Sequence, residues 1–318
     1  MLDIEKSILS TLIYYDILDY PLTLLEIYKY LHKFNNSLYK YKPCVLDIQA
    51  FLENSFFLKK AIDQKNGFYF IKSSYDSKNI LNEIYKNRIK RQKSAHKKWK
   101  KVRRIINLFQ IIPYIRMIGI TGSLALGNSK KQSDLDFFII TAPNRIWISR
   151  ILITGLAHII GQRRYGLKIA DRVCLNSYIT ENSLKIEPEN LYSSHEYTHL
   201  IPVLDDGVYS EFCKSNTWIG NYIYESPFNL ANNQNNIVLN NKLRSFAMFL
   251  ERILDGKIGL FLEKKISQYQ KTRIQKKIQN ENPNSQIAFN DNCLMFHPVP
   301  KSLFIDKEYK LRMKQFVY

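Results

Sequence analysis

The hydrophobic pattern of the first 76 residues predicts three helices followed by a hairpin. Apolar residues recur at helical spacing over residues 4–15, and residues 23–26 have the form of a capping box that opens a second helix. The same spacing predicts a third helix over residues 45–54. Two apolar runs, 56–60 and 67–71, lie on either side of a polar turn that ends in glycine, and we expect them to be strands.

From residue 78 onward, the pattern alternates between helices and apolar strands. A long amphipathic helix comes first, and after it come two short strands, a buried helix, a third strand and a short helix. The predicted ranges, in that order, are 78–108, 114–120, 137–140, 146–160, 169–179 and 191–200. The rest of the chain is predicted to be mostly helical, with an asparagine-rich connector at 229–241 and an amphipathic stretch at 243–266.

This succession predicts an α/β (α+β) fold built around a small mixed sheet. The predicted parts are an N-terminal domain at 1–76, a basic helical linker at 77–108, a sheet domain at 109–225 and a helical C-terminal region at 226–318. The first part resembles a winged-helix domain in its order of elements. Its third helix contains Asp47 and Glu53 but no lysine or arginine, which argues against DNA contact and favours packing or protein contact.

The charge balance is strongly basic, because 47 Lys and Arg stand against 28 Asp and Glu, for a net charge of +19. Such a charge favours a polyanionic partner, either nucleic acid or a triphosphate. A chain-wide bias toward lysine and asparagine explains it equally well. Residues 86–104 hold eleven lysines and arginines and no acid. That helix is either a nucleic-acid-binding face or a solvated surface.

The remaining composition indicates a cytoplasmic protein. The four cysteines have no CxxC or other metal-like spacing, as expected of reduced thiols, and the N-terminus has no basic region of a signal peptide. The most apolar stretch, 146–160, is interrupted by Arg150 and His158 and is too short to span a bilayer. We therefore expect no membrane partner.

The chemistry is concentrated in residues 122–140, where Gly122-Ser123 is followed by Ser133-Asp134-Leu135-Asp136 and an apolar run. Residues i and i+2 of a strand point to the same side, so the spacing places both carboxylates together. Paired carboxylates suit Mg²⁺, which takes its other ligands from water and phosphate. Gly122 allows close approach of the backbone, and Ser123 would begin a helix whose free N–H groups favour an anion.

This motif and its two framing strands resemble the signature of the nucleotidyltransferase superfamily that includes DNA polymerase beta. The resemblance covers roughly a third of the chain. It implies transfer of a nucleoside monophosphate from an NTP, with ATP expected, to an acceptor, and release of pyrophosphate. Mg²⁺ or Mn²⁺ would be held by Asp134, Asp136 and a third carboxylate, for which Asp171 is the candidate. If Asn176 takes the third position instead, the triad is incomplete.

The resemblance also implies which residues bind the nucleotide. Gly122 and Ser123 would hold the β- and γ-phosphates, and Ser133 is assigned to nucleotide binding with them. Lys130 and Lys131, in the loop between the two halves of the motif, either neutralise phosphate charge or are solvated.

A second motif occurs downstream, where His195, Glu196 and His199 match the HExxH pattern of zinc metalloproteases. No third ligand is evident in the sequence. We expect Glu196 or His195 to line the nucleotidyltransferase cleft instead.

Two alternatives to the transferase stay open. The domain could have lost catalysis and serve as a regulatory or nucleic-acid-binding module, which the uncertain third carboxylate and the basic helix favour. It could also modify a partner protein, with the winged helix as the docking surface. The acceptor, whether small molecule, RNA or protein, is not specified by the sequence.

Overall fold

Two β-sheets and the helices around them form the structure, a computed structural model that describes residues 2–33, 42–72, 78–224, 240–278, 285–297 and 300–317. The mixed α and β content confirms the predicted fold class. The N-terminal elements are α1 (Asp3–Ile17), β1 (Leu22–Thr23), α2 (Leu24–Lys29), α3 (Val45–Asn54), α4 (Phe56–Ala61), β2 (Ile62–Lys65) and β3 (Phe68–Ile71).

The N-terminal elements pack around α1 and a three-stranded antiparallel sheet in the order β1-β3-β2. Their succession agrees with the order predicted for a winged helix, with α4 added. The predicted capping box is present: the Glu26 N–H donates to Thr23 Oγ1 at 3.3 Å, and the Thr23 N–H donates to Glu26 Oε2 at 2.9 Å.

The prediction of a strand at 56–60 was wrong, because these residues form α4. Ser55 Oγ accepts the Leu58 N–H at 3.1 Å and so caps the helix, which overrides the β preference of two adjacent phenylalanines. The hairpin begins later, at Ile62. Its turn is Asn66-Gly67, with φ of 50° and 81°, the left-handed backbone that tight hairpins require.

The second sheet has six strands in the order β7-β4-β5-β6-β9-β8. β5 and β6 are parallel and joined by a helical crossover, whereas the other neighbours are antiparallel. The elements that follow β3 are α5 (Lys78–Phe109), β4 (Ile115–Ile120), α6 (Gly122–Ala125), β5 (Leu135–Thr141), α7 (Ile146–Ile159), β6 (Val173–Thr180), α8 (Leu191–Thr198), β7 (Ile201–Asp205), α9 (Val208–Ser215), α10 (Asn241–Leu254), α11 (Gly256–Ile278), β8 (Gln286–Phe289), β9 (Cys293–His297) and α12 (Lys301–Val317).

Strand β5 is buried on both sides, and its side chains alternate between two cores. Phe137 and Ile139 face the core that contains α5 and α7, whereas Phe138 and Ile140 face the core that contains α8 and α9. By the same alternation Asp136 lies on the α8 side, which places it next to that helix.

Helix α5 connects the two sheets, and the basic run within it is not uniformly solvated. Val102 and Ile106 are fully buried in the core of the large sheet. Arg88 is 4% exposed and donates to Glu26 at 2.7 Å, and Lys98 is also 4% exposed. Neither interpretation of residues 86–104 anticipated these structural contacts. Most of the other basic residues of the run are exposed.

The C-terminal region differs from the mostly helical prediction, because β8 and β9 extend the large sheet at its β6 edge. The predicted stretch 243–266 is two helices, divided at Asp255 and Gly256, the latter with φ of 75°. Glu263 of α11 accepts the N–H groups of Trp147 and Ile148 at 2.8 and 2.9 Å and so caps α7. The C-terminal region is therefore part of the sheet domain's structure.

Two further predictions concern segment boundaries. The third strand begins at Val173 and not at 169, because Asp171 has φ of 56°, a left-handed backbone that cannot continue a β ladder. The domain boundaries at 76–77 and 225–226 and most of the connector at 229–241 lie outside the described residues. Within the described segments, none of the helices has both the length and the apolar character needed to cross a bilayer.

Candidate functional site

Asp134 and Asp136 lie at the start of β5 with their carboxylates together. Ligand oxygens of both residues and the Cys174 sulfur lie within 4.8 Å of one another. Cys174 comes from the parallel neighbour β6, where it is directly paired with Asp136. In the described part of the chain, no other set of three donor side chains is close enough to share a metal ion.

The carboxylate of Asp136 is buried beside other acidic groups, which disfavours its charged form. Burial, followed by the charges of Asp134 and Glu196, raises the pKa of Asp136 to about 7. Burial and the same two aspartates raise the pKa of the Cys174 thiol far above its usual range, so the sulfur stays protonated. Arg164 donates to Asp134 Oδ2 at 2.5 Å and supplies one counter-charge. The two carboxylate oxygens are ligands of the kind that a hard divalent cation takes, whereas the protonated thiol beside them is not such a ligand.

The Gly122 turn packs directly against this pair. Its φ is 63°, and a Cβ at this position would lie 2.5 Å from Asp136 Oδ2. Only glycine meets both requirements. Ser123 Oγ lies 3.3 Å from Ser129 Oγ, a contact that holds the turn to its own loop.

Glu196 of α8 adds a further carboxylate to the site. It accepts the Gly122 N–H at 3.0 Å, and the side chains of Thr121 and Tyr192 also hydrogen-bond to it. Burial raises the pKa of Glu196, while Lys301 and these hydrogen bonds act in the opposite direction. The expectation that Glu196 lines the cleft agrees with this placement.

These groups line one cavity of about 430 Å³. Four carboxylates line it, those of Asp134, Asp136, Glu187 and Glu196. Lys301 and Ser302 from the start of α12 line it as well, and the charge of Lys301 acts on Asp136 and Glu196. Aromatic and amide side chains complete it, among them Phe138, Tyr192, Tyr197 and Asn176. The cavity thus combines these carboxylates with one lysine, which fits a metal ion and a phosphate-bearing ligand.

Asp171 is not brought to the aspartate pair. Its carboxylate pairs with Lys98 Nζ at 2.8 Å, and it does not line the cavity. Lys98 also donates to the carbonyls of Ser133 at 2.5 Å and Lys131 at 3.3 Å. Asp171 therefore belongs, with Lys98, to the support of the loop that precedes β5. Asn176 of β6 lines the cavity, in the neighbour-strand position that the sequence left open.

The other nucleotide-binding candidates have mixed placements. Gly122 lines the cavity, but its N–H is occupied by Glu196, and Ser123 is not among the lining residues. Ser133 Oγ accepts the Lys130 N–H at 3.2 Å inside the loop. Lys130 and Lys131 are exposed and line no part of the cavity. Sequence analysis missed Lys301 and Arg164 because both reach the site from segments remote from the motif.

The HExxH string does not form a zinc centre. Tyr15 Oη lies 2.9 Å from His195 Nδ1 and 2.7 Å from His199 Nε2, so the two rings share a hydroxyl of α1. His195 Nε2 lies 2.7 Å from His32 Nε2. Of the two residues expected as alternatives at the cleft, Glu196 lines the cavity and His195 does not, because His195 faces α1.

Comparison of the chain with protein-family models, with curated proteins and with solved structures found no match. Functional argument for this chain therefore rests on the geometry of the site itself.

Proposed function

We propose that the chain is a metal-dependent nucleotidyltransferase that moves a nucleoside monophosphate from an NTP, with ATP expected, to an acceptor hydroxyl. The observation that carries the proposal is the pair Asp134 and Asp136, whose carboxylates meet at the start of a central strand, inside a cavity and against the Gly122 turn. This is the arrangement that the sequence resemblance implies. The proposal needs no residue outside the described cavity.

The residues present fit a divalent cation. Asp134 and Asp136 would hold it, because two adjacent carboxylates gain from a positive charge between them, and the buried Asp136, whose pKa is raised, gains most. Bound Mg²⁺ or Mn²⁺ supplies positive charge that neutralises the phosphates and the charge developing on them. Arg164 forms an ion pair with Asp134 in this structure, and the metal ion would replace it as the partner of that carboxylate. Cys174, as a neutral thiol, contributes bulk and not charge.

The remaining residues would orient the two substrates. In the reaction, the acceptor oxygen forms a bond to the α-phosphorus, the bond from that phosphorus to the pyrophosphate oxygen breaks, and the acceptor proton passes to a base. Glu196 is the candidate base, because it lines the cavity and its charge acts directly on Asp136. Lys301 is placed to neutralise phosphate charge, the role suggested for Lys130 and Lys131.

Two measurements test this function. Pyrophosphate release from each of the four NTPs, with Mg²⁺ or Mn²⁺ and with small-molecule, RNA or protein acceptors, is expected for the wild type and not for Asp134→Asn/Asp136→Asn. Mn²⁺ binding by calorimetry should be lost in the same variant. The matched control, Glu211→Gln/Asp306→Asn, removes two exposed carboxylates that pair only with nearby lysines and should keep both properties. Unchanged Mn²⁺ binding in the aspartate variant would remove the basis of the proposal.

Two observations favour a second candidate, a nucleotidyltransferase fold without catalysis that binds nucleic acid. The neighbour strand presents Cys174 and Asn176 where the resemblance expects a carboxylate. Seven of the eleven basic residues in 86–104 are exposed. A fluorescent RNA or DNA titration over a salt series would show a steep loss of affinity with salt if phosphate contacts dominate. Binding of that kind without aspartate-dependent pyrophosphate release would favour this candidate.

A further inference from the structure

A second cavity of about 370 Å³ adjoins the candidate site. It lies between α7, the loop that precedes β6, β6 itself, α11 and the β8–β9 hairpin. Four residues, Arg164, Cys174, Asn176 and Phe296, line both this cavity and the one that holds the aspartates. We call it the arginine chamber. The two spaces are neighbours, separated by side chains of β6 and β9.

The arginine chamber is positively charged. Arg150, Arg163 and Arg164 line it, and in the described part of the chain no carboxylate does. Arg164 pairs with Asp134, but neither Arg150 nor Arg163 has a carboxylate partner within 4.0 Å among the described residues. Burial, together with the charges of Arg163 and Arg273, lowers the pKa of Arg150. Three guanidinium groups therefore converge with a single carboxylate to balance them.

Arg150 is held in place despite this repulsion. Its guanidinium donates to Gln270 Oε1 and lies 4.9 Å from the centre of the Phe296 ring. Its Nε is buried and has no hydrogen-bond partner among the described residues. A guanidinium that is mostly buried beside other positive charges is costly, and an anion in the chamber would offset that charge.

The chemistry of the walls indicates the ligand class. Arginine forks match the oxygens of phosphate, which they bind through paired, charge-assisted hydrogen bonds. Leu175, Ile274 and Ile287 supply an apolar surface beside them, which suits the organic part of a phosphate ester. The volume excludes a folded macromolecule and accommodates a phosphorylated small molecule or the terminal nucleotide of a strand.

We propose that the arginine chamber binds a phosphate group of the acceptor, so that the acceptor of the transfer is a phosphorylated molecule. The identification of the ligand as the acceptor rests on the proposed function, whereas the existence of the phosphate site does not depend on it. A ligand anchored at the arginines would lie next to the cavity that holds Asp134, because the two cavities share lining residues. Arg164 joins the two sites, since it lines both and pairs with Asp134 in this structure.

Calorimetric titration of the full chain with inorganic phosphate tests the site. The wild type should bind, and Arg150→Gln and Arg163→Gln should each weaken binding about tenfold or more. Arg163 is exposed, so its replacement leaves the fold intact even if that of Arg150 does not. Arg252→Gln, an exposed arginine outside the chamber, is the matched control and should not change the affinity. No binding at millimolar phosphate, or equal affinity in Arg163→Gln and the wild type, overturns the proposal.

Two pairs of probes identify the source of the phosphate. Ribose 5-phosphate is compared with ribose, and a 5′-phosphorylated oligonucleotide with its unphosphorylated form. Preference for the phosphorylated member of the first pair indicates a small-molecule acceptor, and of the second pair a nucleic-acid terminus. No preference in either pair overturns the assignment to the acceptor.

The aspartate variant separates this proposal from the proposed function. Asp134→Asn/Asp136→Asn should bind phosphate as tightly as the wild type or more tightly, because Arg164 loses its carboxylate partner. Loss of phosphate binding in this variant would contradict a separate arginine site. If pyrophosphate release proves independent of the aspartates, the proposed transferase function is wrong. The phosphate site is then still decided by the titrations of the Arg150 and Arg163 variants.

Discussion

On helix α8, two residues that are adjacent in sequence face different parts of the molecule. Glu196 faces the cavity, where it adds a further carboxylate to Asp134 and Asp136. His195 and His199 face α1, where both rings contact the Tyr15 hydroxyl. Residues i and i+4 share a helix face, whereas i+1 is turned by about 100°. One HExxH string is therefore divided between the candidate site and the domain junction.

The histidine face belongs to a continuous chain of hydrogen bonds that crosses the junction between α1, α8 and α12. Each member lies within 2.9 Å of the next. In order, the members are His199, Tyr15, His195, His32, Ser10 and Tyr309. The acidic face gathers like charges that an ion would balance, while the histidine face keeps its rings neutral and mutually satisfied. The difference teaches that the charge around a side chain, and not the motif string, distinguishes the face of α8 that lines the cavity.

The largest effect on stability is expected from Tyr15→Phe. Removing the hydroxyl leaves one ring nitrogen of His195 and one of His199 buried without a partner, at a cost of about 3 kcal/mol in unfolding free energy. Urea unfolding of the variant and the wild type measures it. Mn²⁺ affinity should be unchanged, because the cavity is untouched. A Tyr15→Phe variant as stable as the wild type would show that the chain of hydrogen bonds does not hold the junction.

The next effect is the pH dependence that His32 contributes. Burial lowers the pKa of His32 to about 3, and the ordinary value applies when the chain unfolds. Between pH 6.5 and pH 3 the unfolded state binds a proton at His32 and the folded state does not. The free energy of unfolding is therefore highest above pH 6.5, as far as His32 is concerned, and falls as the pH is lowered. The loss is about 1.4 kcal/mol per pH unit, or about 2 kcal/mol from pH 6.5 to pH 5.

His32→Gln isolates that contribution. The variant should lose about 2 kcal/mol less than the wild type between pH 6.5 and pH 5 in urea unfolding. The difference cancels the opposing titration of Asp136, which both proteins share. The groups that face His32 are Ser10, Tyr14, His195 and Tyr309, none of them a carboxylate. Parallel pH profiles for the two proteins would contradict a neutral buried His32, and exposed His158→Gln supplies the control.

A smaller cost in stability is expected from Gly122→Ala, on the acidic side. The backbone at φ of 63° disfavours any Cβ by about 1–2 kcal/mol, and the new atom would push Asp136 from its place. Mn²⁺ affinity should fall together with stability. Gly207→Ala is the matched control, since its φ is also positive at 95° but no atom lies within 4 Å of the added Cβ. Equal Mn²⁺ affinity in both variants would show that contact with Asp136 is unimportant.

The features that depend only on local spacing were predictable from the sequence. The two aspartates share a side of β5 because strand geometry requires it, and the Thr23 to Glu26 capping box is complete within four residues. Contacts between distant segments were not recoverable. Lys301 reaches the cavity from α12, which comes 165 positions after Asp136, and no local pattern encodes that approach.

The errors have the same origin. Asp171 is the candidate from the sequence because it falls near the start of the strand predicted at 169–179, but its carboxylate pairs with Lys98 of α5 and not with the aspartates. The β preference of the side chains at 56–60 predicts a strand, whereas the hydrogen bond that Ser55 accepts as N-cap stabilises a helix. In both cases one hydrogen-bonding or ionic partner outside the apolar pattern determined the outcome.

The smallest effect on stability, and the sharpest test of the two faces, is Glu196→Gln. The amide keeps the shape and can still accept the Gly122 N–H, while the variant loses a buried negative charge beside Asp136. Unfolding free energy should therefore stay equal or rise slightly, in contrast to Tyr15→Phe on the opposite face. Mn²⁺ binding should weaken about tenfold, because the variant removes a negative charge close to Asp136 that attracts the ion. Calorimetry with Mn²⁺ and urea unfolding, run on Glu196→Gln and Tyr15→Phe together, should give opposite outcomes for the two variants. Loss of stability without loss of Mn²⁺ affinity in Glu196→Gln would make Glu196 a structural residue, and the division of α8 into two faces would fail.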